Sequence, residues 1–387
     1  MSTHSQTIDD SNPVTSESVY AARQAKLAHE LENAGLQALA LNPGPSLTYL
    51  TGLHFHLMER PVVAFFVPHS APVLVLPELE TAKTENLAFA ADILAYGEDP
   101  ADWPAVFRKA AQAAQIDGRQ VGVEPRRLRV LELRLLEAAA PEAQFTSAEE
   151  SLAALRMRKD EGELVAMRKA VGIAQRALLA TLPLIHIGMT ERNLAAELTL
   201  QLLRLGSDPE FPFAPIVSFG SNSANPHAVP TERPLASGDL LLIDWGAAYH
   251  DYLSDLTRTF AVGRVPQEMA HIAEIVKEAN SAARNAVRPG VTAHDVDQAA
   301  RQVIEKAGYG QYFIHRTGHG LGMEAHEEPY MRAGNPLPLQ PGMTFTIEPG
   351  IYLPGRGGVR IEDNIVVTLT GVESMSDLPR ELVTAGI

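Results

Sequence analysis

The chain has 387 residues, of which 45% are hydrophobic and 20% are charged, and its formal net charge is −15. This length exceeds one ordinary hydrophobic core and predicts two domains, and the acidic balance argues against a protein that binds nucleic acid through a basic face. The absence of cysteine excludes a thiol nucleophile, a Cys-ligated zinc site and a disulfide framework, and it fits a reducing, cytoplasmic compartment.

The first part of the chain predicts a polar tail followed by an α/β domain. Residues 1–18 lack the basic and apolar segments of a secretory signal, so we expect a flexible tail there. No apolar run approaches the roughly 20 residues that span a membrane, so no membrane partner is expected. Residues 19–155 alternate between helix-like and strand-like hydrophobic patterns, which predicts a separate α/β domain. The pattern predicts helices at 19–34, 103–116 and 128–139, and strands at 37–41, 61–67, 72–76 and 121–123.

A second domain is expected over residues 156–387, and it contains an internal repeat. Charged residues crowd between positions 147 and 163, where we place the domain connection. Two helical patterns then begin at the N-cap residues Thr190 and Thr292, which are 102 positions apart, and both end at a glycine. Further helical patterns precede them, at 164–182 and 269–287. Two unrelated amphipathic helices could share such caps, but a duplicated half-domain also explains why the following strands correspond.

Each half of the repeat contains an apolar strand that ends in an acid. The first half supplies Asp244 and then Asp255, and the second supplies Glu348 and then Glu362. Any one of these acids alone is more often a capping or salt-bridged residue. Four carboxylates aimed into one cavity would repel each other unless cations neutralise them, and two divalent ions can share bridging carboxylates. The set therefore favours a two-metal site.

Three histidines accompany these acids. His319 lies between glycines that leave room beside its ring, and an imidazole ligand suits Mn, Zn, Co or Fe better than Mg or Ca. His326 follows seven residues later, and His227 lies in the first half. A lone histidine is more often a hydrogen-bonded surface or core residue, so a catalytic role for the last two is a hypothesis. The run 318–322 resembles a dinucleotide loop, but Met323 stands where that fingerprint requires Gly.

Together these residues resemble a known family. Asp244, Asp255, His319, Glu348 and Glu362 resemble the metal ligands of the pita-bread metallopeptidases, which include Xaa-Pro aminopeptidase, prolidase and methionine aminopeptidase, with creatinase as a metal-free relative. The segments that carry the resemblance are 254–260, 315–322, 326–329, 347–350 and 359–363. Residues 49–52 are similar to the creatinase/prolidase N-terminal domain, which favours the proline-specific branch. The implied fold is α/β (α+β), with a creatinase/prolidase-like N-terminal α/β domain and a C-terminal pseudo-twofold pita-bread catalytic domain.

The resemblance implies an exopeptidase that uses two divalent ions, foremost Mn²⁺, with Co²⁺, Zn²⁺ or Fe²⁺ as alternatives. Its substrate would be a proline-containing peptide or an Xaa-Pro dipeptide, cleaved before the proline by a hydroxide between the metals. Asp255 and Glu362 would bind both ions, Asp244 one ion, and His319 with Glu348 the other. Glu348 would also relay a proton to the leaving nitrogen.

The resemblance assigns further roles around this centre. His326 and His227 would stabilise the tetrahedral intermediate and position the scissile bond. Relatives are usually dimers in which the N-terminal domain can reach a partner's site, so we expect a homodimer. Substrate-binding roles fall on four residues, which are His315, Arg360, Tyr330 and His54.

Two departures from the family pattern bear on the substrate. Tyr330 stands where some dipeptide-restricted prolidases carry an Arg for the substrate carboxylate, and Asp251 stands where relatives often carry Gly. Arg332, Arg356 or Arg360 could replace that Arg. Arg360 is equally well interpreted as the structural partner of a neighbouring acid.

Two alternative functions stay open from the sequence. A family relative could act on a non-peptide small molecule as a C–N hydrolase or lyase, or the chain could be a non-catalytic peptide-binding module. All five predicted ligands are present, whereas drift toward a creatinase-like reaction would usually discard some of them. A small-molecule substrate screen would identify the first alternative, and a metal content near zero would favour the second.

Overall fold

The computed structural model describes residues 16–386, which divide into two compact units between Leu155 and Arg156. The tail expected over residues 1–18 lies outside the described residues as far as residue 15, and residues 16–18 begin the first helix. None of the described helices is long and apolar enough to cross a membrane.

The first unit contains a mixed sheet whose central strands are buried. Its helices are α1 (Ser16–Asn33), α2 (Pro45–Thr51), α3 (Trp103–Ala113), α4 (Val130–Ala139) and α5 (Glu149–Arg156), the last of which ends at the division. Its strands are β1 (Ala38–Leu41), β2 (Val63–Phe66), β3 (Val73–Pro77), β4 (Asp92–Tyr96), β5 (Gln120–Val123) and β6 (Gln144–Ser147). The strand order is β4-β3-β2-β1-β5-β6, and β1 pairs antiparallel with β2 and parallel with β5. Phe107 of α3 and Leu136 of α4 are fully buried in the core of this unit.

All helices and strands predicted for this unit occur, and four elements were missed. The two missed strands, β4 and β6, are the edges of the sheet. Most of their residues are exposed or half-buried. Strand β6 has Phe145 as its one apolar residue and so shows no apolar run, whereas residues 93–96 of β4 are all apolar and were an available signal. The missed helices α2 and α5 have seven and eight residues, too short for a clear helical period.

The second unit contains two pairs of helices and several antiparallel sheets. Its helices are α6 (Glu161–Thr181), α7 (Glu191–Arg204), α8 (Gln267–Ala286) and α9 (Ala293–Lys306). The strands of its first half are β7 (Ile216–Phe219), β8 (Leu240–Trp245), β9 (Ala248–Tyr249), β10 (Tyr252–Leu253) and β11 (Leu256–Ala261). Those of its second half are β12 (Gly318–Gly320), β13 (Glu327–Met331), β14 (Thr344–Ile347), β15 (Gly350–Leu353), β16 (Gly357–Arg360), β17 (Asp363–Val367) and β18 (Val372–Ser374).

The internal repeat is confirmed by matching helices. Helices α7 and α9 each have 14 residues, and both their first and last residues are 102 positions apart. Thr190 and Thr292 are the N-caps, and their side chains accept hydrogen bonds from the backbone N–H groups of Asn193 and Asp295. The longer helices α6 and α8 precede them, as the pattern predicts.

Each half of the repeat has its own sheet and core. The first sheet has the order β11-β8-β7, and the second has the order β13-β12-β14-β17-β18. Trp245 and Phe219 are fully buried in the first core, as are Phe345 and Ile347 in the second. This packing fixes the hairpins β8/β11 and β14/β17, which carry the predicted acids.

The turn after β8 depends on close packing against Gly246. A Cβ atom at this position would overlap the carbonyl oxygen of Ser254, so the backbone would have to move. We expect Gly246→Ala to lower the free energy of unfolding by about 1–3 kcal/mol or more. Gly371 is the matched control, because a Cβ there meets no atom within 4 Å and alanine should change stability by less than about 0.5 kcal/mol. Denaturant unfolding of both variants checks this, and equal stabilities would contradict it.

Candidate active site

Two β-hairpins bring the four predicted acids to one region of the second unit. Asp244 lies in β8, and Asp255 directly precedes β11. Glu348 directly follows β14, and Glu362 directly precedes β17. The hairpins are joined by a backbone bridge in which the Glu362 N–H donates to the Thr257 carbonyl over 3.1 Å, and Thr257 Oγ1 also donates to Glu362 Oε2 over 2.7 Å. Each half of the repeat therefore places one pair of acids near the bridge that joins the two hairpins.

His319 lies among these acids. One ligand atom from each of Asp255, His319 and Glu362 lies within 4.8 Å of the other two. His319 Nε2 lies 3.7 Å from Asp255 Oδ2 and 3.3 Å from Glu348 Oε1. Because His319 Nδ1 lies 3.1 Å from the Gly320 carbonyl, which can only accept, that nitrogen carries the proton and Nε2 offers its lone pair to the acids.

Asp244, the remaining predicted ligand, is held by a buried arginine. Arg360 Nη2 lies 2.5 Å from Asp244 Oδ2, and Arg360 Nε donates to Thr257 Oγ1 over 3.0 Å. The negative charge of Asp244 raises the pKa values of Glu348 and Glu362, which places it within electrostatic reach of the other acids. This contact supports the interpretation of Arg360 as the structural partner of a neighbouring acid.

Burial raises the pKa of all four acids, because a desolvated carboxylate is costly. For Asp255 and Glu362 the pKa rises well above the usual range, and neighbouring carboxylates add to the rise. The pKa of Glu348 rises to about 7. The pKa of Asp244 also rises, against the opposing charge of Arg360. Burial lowers the pKa of His319 well below its usual range, so its ring is neutral.

The residues present fit divalent cations. Asp244 Oδ1 and Asp255 Oδ1 are buried and have no hydrogen-bond partner among the described residues. Such unpaired buried oxygens are rare in folded proteins and call for a ligand. Carboxylate oxygens with one imidazole nitrogen form a donor set that Mn²⁺, Co²⁺, Zn²⁺ and Fe²⁺ accept.

The two histidines predicted to be catalytic have different relations to the predicted ligands. The ring centre of His326 lies 4.0 Å from that of His319. His227 is an exposed residue that follows the 3-10 turn Gly220–Ala224, and it interacts electrostatically with both Asp244 and His326. The structure thus puts His326 in contact with a predicted ligand and His227 within electrostatic reach.

His315 is bound within a buried chain of side chains. Its Nε2 lies 2.8 Å from the Tyr352 hydroxyl, and its Nδ1 lies 2.7 Å from the Arg316 carbonyl. Arg360 Nη1 donates to the same hydroxyl over 2.9 Å. Burial lowers the pKa of His315 to about 4 and raises that of Tyr352 to about 12, so both are neutral. Both ring nitrogens of His315 are engaged by the protein, and its substrate role stays a prediction.

Arg316 and Tyr352 are site residues that the sequence reasoning missed. The guanidinium carbon of Arg316 lies 4.4 Å from the ring centre of Tyr330, and its charge lowers the pKa of His319, His326 and Glu348. Arg316 lies inside the segment 315–322, so a cation in that motif was an available signal. No pattern singled out Tyr352, because its role depends on the pairing of β15 with β16.

The remaining predicted substrate residues lie apart from this chain of contacts. Arg356 pairs with Glu268 over 2.6 Å at the surface. Arg332 is exposed and donates to the Ala333 carbonyl over 3.3 Å. His54 belongs to the first unit, where it is exposed and its carbonyl accepts a hydrogen bond from Lys83 over 2.9 Å, and its role stays a prediction.

Comparison with known families covers both units. Residues 165–369 match the model of metallopeptidase family M24, and residues 23–158 match that of the creatinase/prolidase N-terminal domain. The chain belongs to metallopeptidase family M24. This M24 enzyme is therefore a metallopeptidase, and the predicted combination of a creatinase-like domain with a pita-bread domain is confirmed.

Relatives and solved structures agree over nearly the whole length. The Xaa-Pro dipeptidase of Lactobacillus delbrueckii subsp. lactis is 35% identical over 358 residues, which cover 92% of this chain and 97% of that one. The crystal structure of dipeptidase PepE from Mycobacterium ulcerans is 36% identical, covers 96% of this chain and 100% of that one, and gives a TM-score of 0.88. The prolidase from Thermococcus sibiricus is 34% identical, with coverages of 94% and 99% and a TM-score of 0.89.

The raised pKa values predict how the metal-free M24 enzyme responds to pH. Above about pH 7.5 the unfolded chain has ionised acids and mostly neutral histidines, and the buried His315, His319 and His326 are already neutral in the folded state, whereas folded Asp255 and Glu362 still hold protons. Their contribution to stability is therefore lost as pH rises. In excess chelator, Tm should fall by roughly 5 °C between about pH 7.5 and pH 8.5.

Two controls accompany this measurement. Glu362→Gln should show a smaller fall of Tm, because it removes one of the groups that still titrate in this range. Protein with added Mn²⁺ should show no fall, because cation ligands must be deprotonated and binding strengthens with pH. A Tm that stays constant or rises with pH in chelator would contradict the burial of protonated acids.

Proposed function

We propose that this M24 metallopeptidase is a dinuclear Xaa-Pro dipeptidase, which hydrolyses the bond between a first residue and a following proline. The observation that carries the proposal is the gathering of Asp255, His319 and Glu362 within 4.8 Å, with unpaired carboxylate oxygens beside them. The proline preference is supported by relatives with this name over nearly the full chain.

In this proposal five residues hold two divalent ions. Asp255 and Glu362 would contact both ions, Asp244 would hold one, and His319 with Glu348 would hold the other. Bound there, the ions would lower the pKa of a water molecule and polarise the scissile carbonyl. The lone pair on His319 Nε2 and the unpaired oxygens of Asp244 and Asp255 support this division.

Glu348 would move the proton in the reaction. It would take a proton from the attacking water and deliver it to the proline nitrogen, which carries no N–H and leaves more readily when protonated. Its Oε1 lies 3.3 Å from His319 Nε2 and accepts a hydrogen bond from Thr346 Oγ1 over 3.2 Å, so the carboxyl group is held in one orientation.

His326 and His227 would act on the carbonyl oxygen of the substrate. Negative charge develops there in the tetrahedral intermediate, and preorganised N–H donors stabilise it. Burial and the positive charge of Arg316 lower the pKa of His326, so His326 is a neutral donor at neutral pH. Its contact with the His319 ring supports this location.

A dipeptide substrate also requires recognition of its terminal carboxylate. Of the three arginines named for this role, Arg360 is paired with Asp244 and Arg356 with Glu268. Arg332 is exposed and has no acidic partner among the described residues, so we assign the carboxylate contact to it. It lies just beyond β13, which follows His326.

The remaining parts of the proposal rest on chemistry and on the family resemblance. Mn²⁺ suits a donor set of carboxylates and one imidazole, and Co²⁺, Zn²⁺ and Fe²⁺ are the alternatives. The family resemblance supports a homodimer. The absence of cysteine supports action in the reducing cytoplasm.

Hydrolysis of Xaa-Pro substrates tests the function directly. Mn²⁺-loaded protein should cleave an Xaa-Pro dipeptide, and it should cleave a longer peptide with the same first two residues at least tenfold more slowly. Glu348→Gln should lower kcat by about 10²-fold or more because it removes the proton carrier. Product analysis together with metal content decides this, and metal-loaded protein that cleaves no Xaa-Pro substrate would overturn the assignment.

Loss of His326 tests the proposed stabilisation of the intermediate. His326→Ala should lower kcat by about 10²- to 10³-fold, because one donor to the developing charge is lost, and the metal content should not change. His186→Ala is the matched control, since His186 is exposed in the turn before α7 and bonds the Ile187 carbonyl. Equal kcat values for the two variants would remove His326 from the mechanism.

A further inference from the structure

The segment that carries His227 is held at both ends by one buried carboxylate. We define the His227 loop as residues 219–231, which run from the last residue of β7 through the 3-10 turn. Glu191, the first residue of α7, is fully buried, and both of its carboxylate oxygens accept hydrogen bonds from this loop.

At the start of the loop two groups donate to Glu191. The backbone N–H of Phe219 donates to Glu191 Oε1 over 2.7 Å. Asn222 Nδ2 lies 3.0 Å from Oε1 and 2.9 Å from Oε2. These contacts fix the point where the chain leaves β7.

At the end of the loop one residue donates twice. The backbone N–H of Thr231 donates to Glu191 Oε2 over 2.9 Å, and Thr231 Oγ1 donates to the same oxygen over 2.5 Å. The ends of a 13-residue segment therefore converge on a single side chain. Within the loop, the backbone N–H groups of Asn225 and Ala228 close further turns around His227.

The position of Glu191 in α7 explains why its carboxylate bonds the loop and not its own helix. Capping of α7 is already performed by Thr190, so the carboxylate of the next residue is left to bond outside the helix. A buried carboxylate is costly unless donors surround it, and here backbone and side-chain donors from the loop supply them. The loop and Glu191 therefore satisfy each other, and displacement of either leaves buried polar groups unpaired.

Other residues of the loop contact β16, which ends at Arg360. The backbone N–H of Gly358 donates to Ser223 Oγ over 2.8 Å, and Arg360 Nη1 donates to the Pro226 carbonyl over 3.3 Å. Arg360 in turn pairs with Asp244. The loop thus lies between Glu191 and the residues that hold the predicted ligands.

We propose that Glu191 is a positioning residue for His227, which it acts on by fixing both ends of the His227 loop. This rests on the proposed function, in which His227 contacts the substrate. Glu191 touches no reacting atom in this scheme. It lowers the conformational freedom of the loop, so that His227 is already oriented when the substrate binds.

Glu191→Gln provides the test. Glutamine has the same size, but its NH₂ group faces donors at one end of the loop, so at least one end is released. We expect kcat on an Xaa-Pro dipeptide to fall about 10- to 100-fold, with little change in KM and an unchanged metal content. Hydrogen exchange of the Phe219 and Thr231 amides should become faster. Glu197→Gln on the same helix is the matched control, because Glu197 bonds Gln201 within α7, and it should behave as the wild type.

The same substitution in a variant that lacks His227 distinguishes a positioning role of Glu191 from a general effect on stability. In His227→Ala protein, Glu191→Gln should change kcat less than about threefold, because the residue it positions is already gone. A merely structural role would lower kcat by the same factor in both backgrounds, and that result would overturn the proposal. Thr231→Val keeps the carboxylate and removes one donor, so it gives a milder effect in the same direction if Glu191→Gln folds poorly.

Failure of the proposed function can be told apart from failure of this inference. If the wild type cleaves no Xaa-Pro peptide, the function is wrong, and hydrogen exchange of the His227 loop still decides the inference. Faster exchange at the loop ends in Glu191→Gln, and not in Glu197→Gln, supports the proposal that Glu191 fixes both ends of the loop. Unchanged exchange in both variants overturns it.

Discussion

Mutual repulsion among four buried carboxyl groups is the constraint on which the second unit depends. Asp244, Asp255, Glu348 and Glu362 are all largely withdrawn from water, and burial raises the pKa of each. Arg360 compensates one of them directly. Such an arrangement is unfavourable for folding alone and becomes favourable when divalent cations bind. The surrounding sheets and helices must therefore hold the acids together against their own electrostatics, which explains why the hairpins that carry them are buried.

The duplicated half-domain meets this requirement with the same elements twice. Each half supplies a helix pair, an apolar hairpin and two acids, and the bridge between Thr257 and Glu362 joins the hairpins. Each half also fixes a segment that carries a predicted site histidine with an acid on the second helix of its pair. Glu191 of α7 holds the His227 loop, while Asp297 of α9 accepts hydrogen bonds from the backbone and hydroxyl of Thr317, two residues before His319. The two acids stand at different positions of their helices. Both halves therefore use a helix acid to fix a loop, but the two acids are not equivalent residues of the repeat.

Much of this could be predicted from the sequence, because the decisive signals are local. The N-caps at Thr190 and Thr292, the apolar strands that end in acids and the glycines around His319 each lie within a few residues. The edge strand β6 escaped prediction because it carries a single apolar residue, whereas β4 was missed although four of its five residues are apolar. The contacts of Arg360 with Asp244 and of His315 with Tyr352 also escaped, since they join residues that only the strand pairing brings together. The donors around Glu191 come from three positions along the chain and form no spacing that a motif could show.

The pairing of Arg360 with Asp244 has a consequence for how the centre fills. A cation that arrives at Asp244 competes with a guanidinium group already bonded to one carboxylate oxygen. A cation that arrives beside His319 meets a neutral ring and carboxyl groups that have no arginine in direct contact among the described residues. In the proposed two-ion centre the two positions would thus be thermodynamically unequal, and the position beside His319 would fill first.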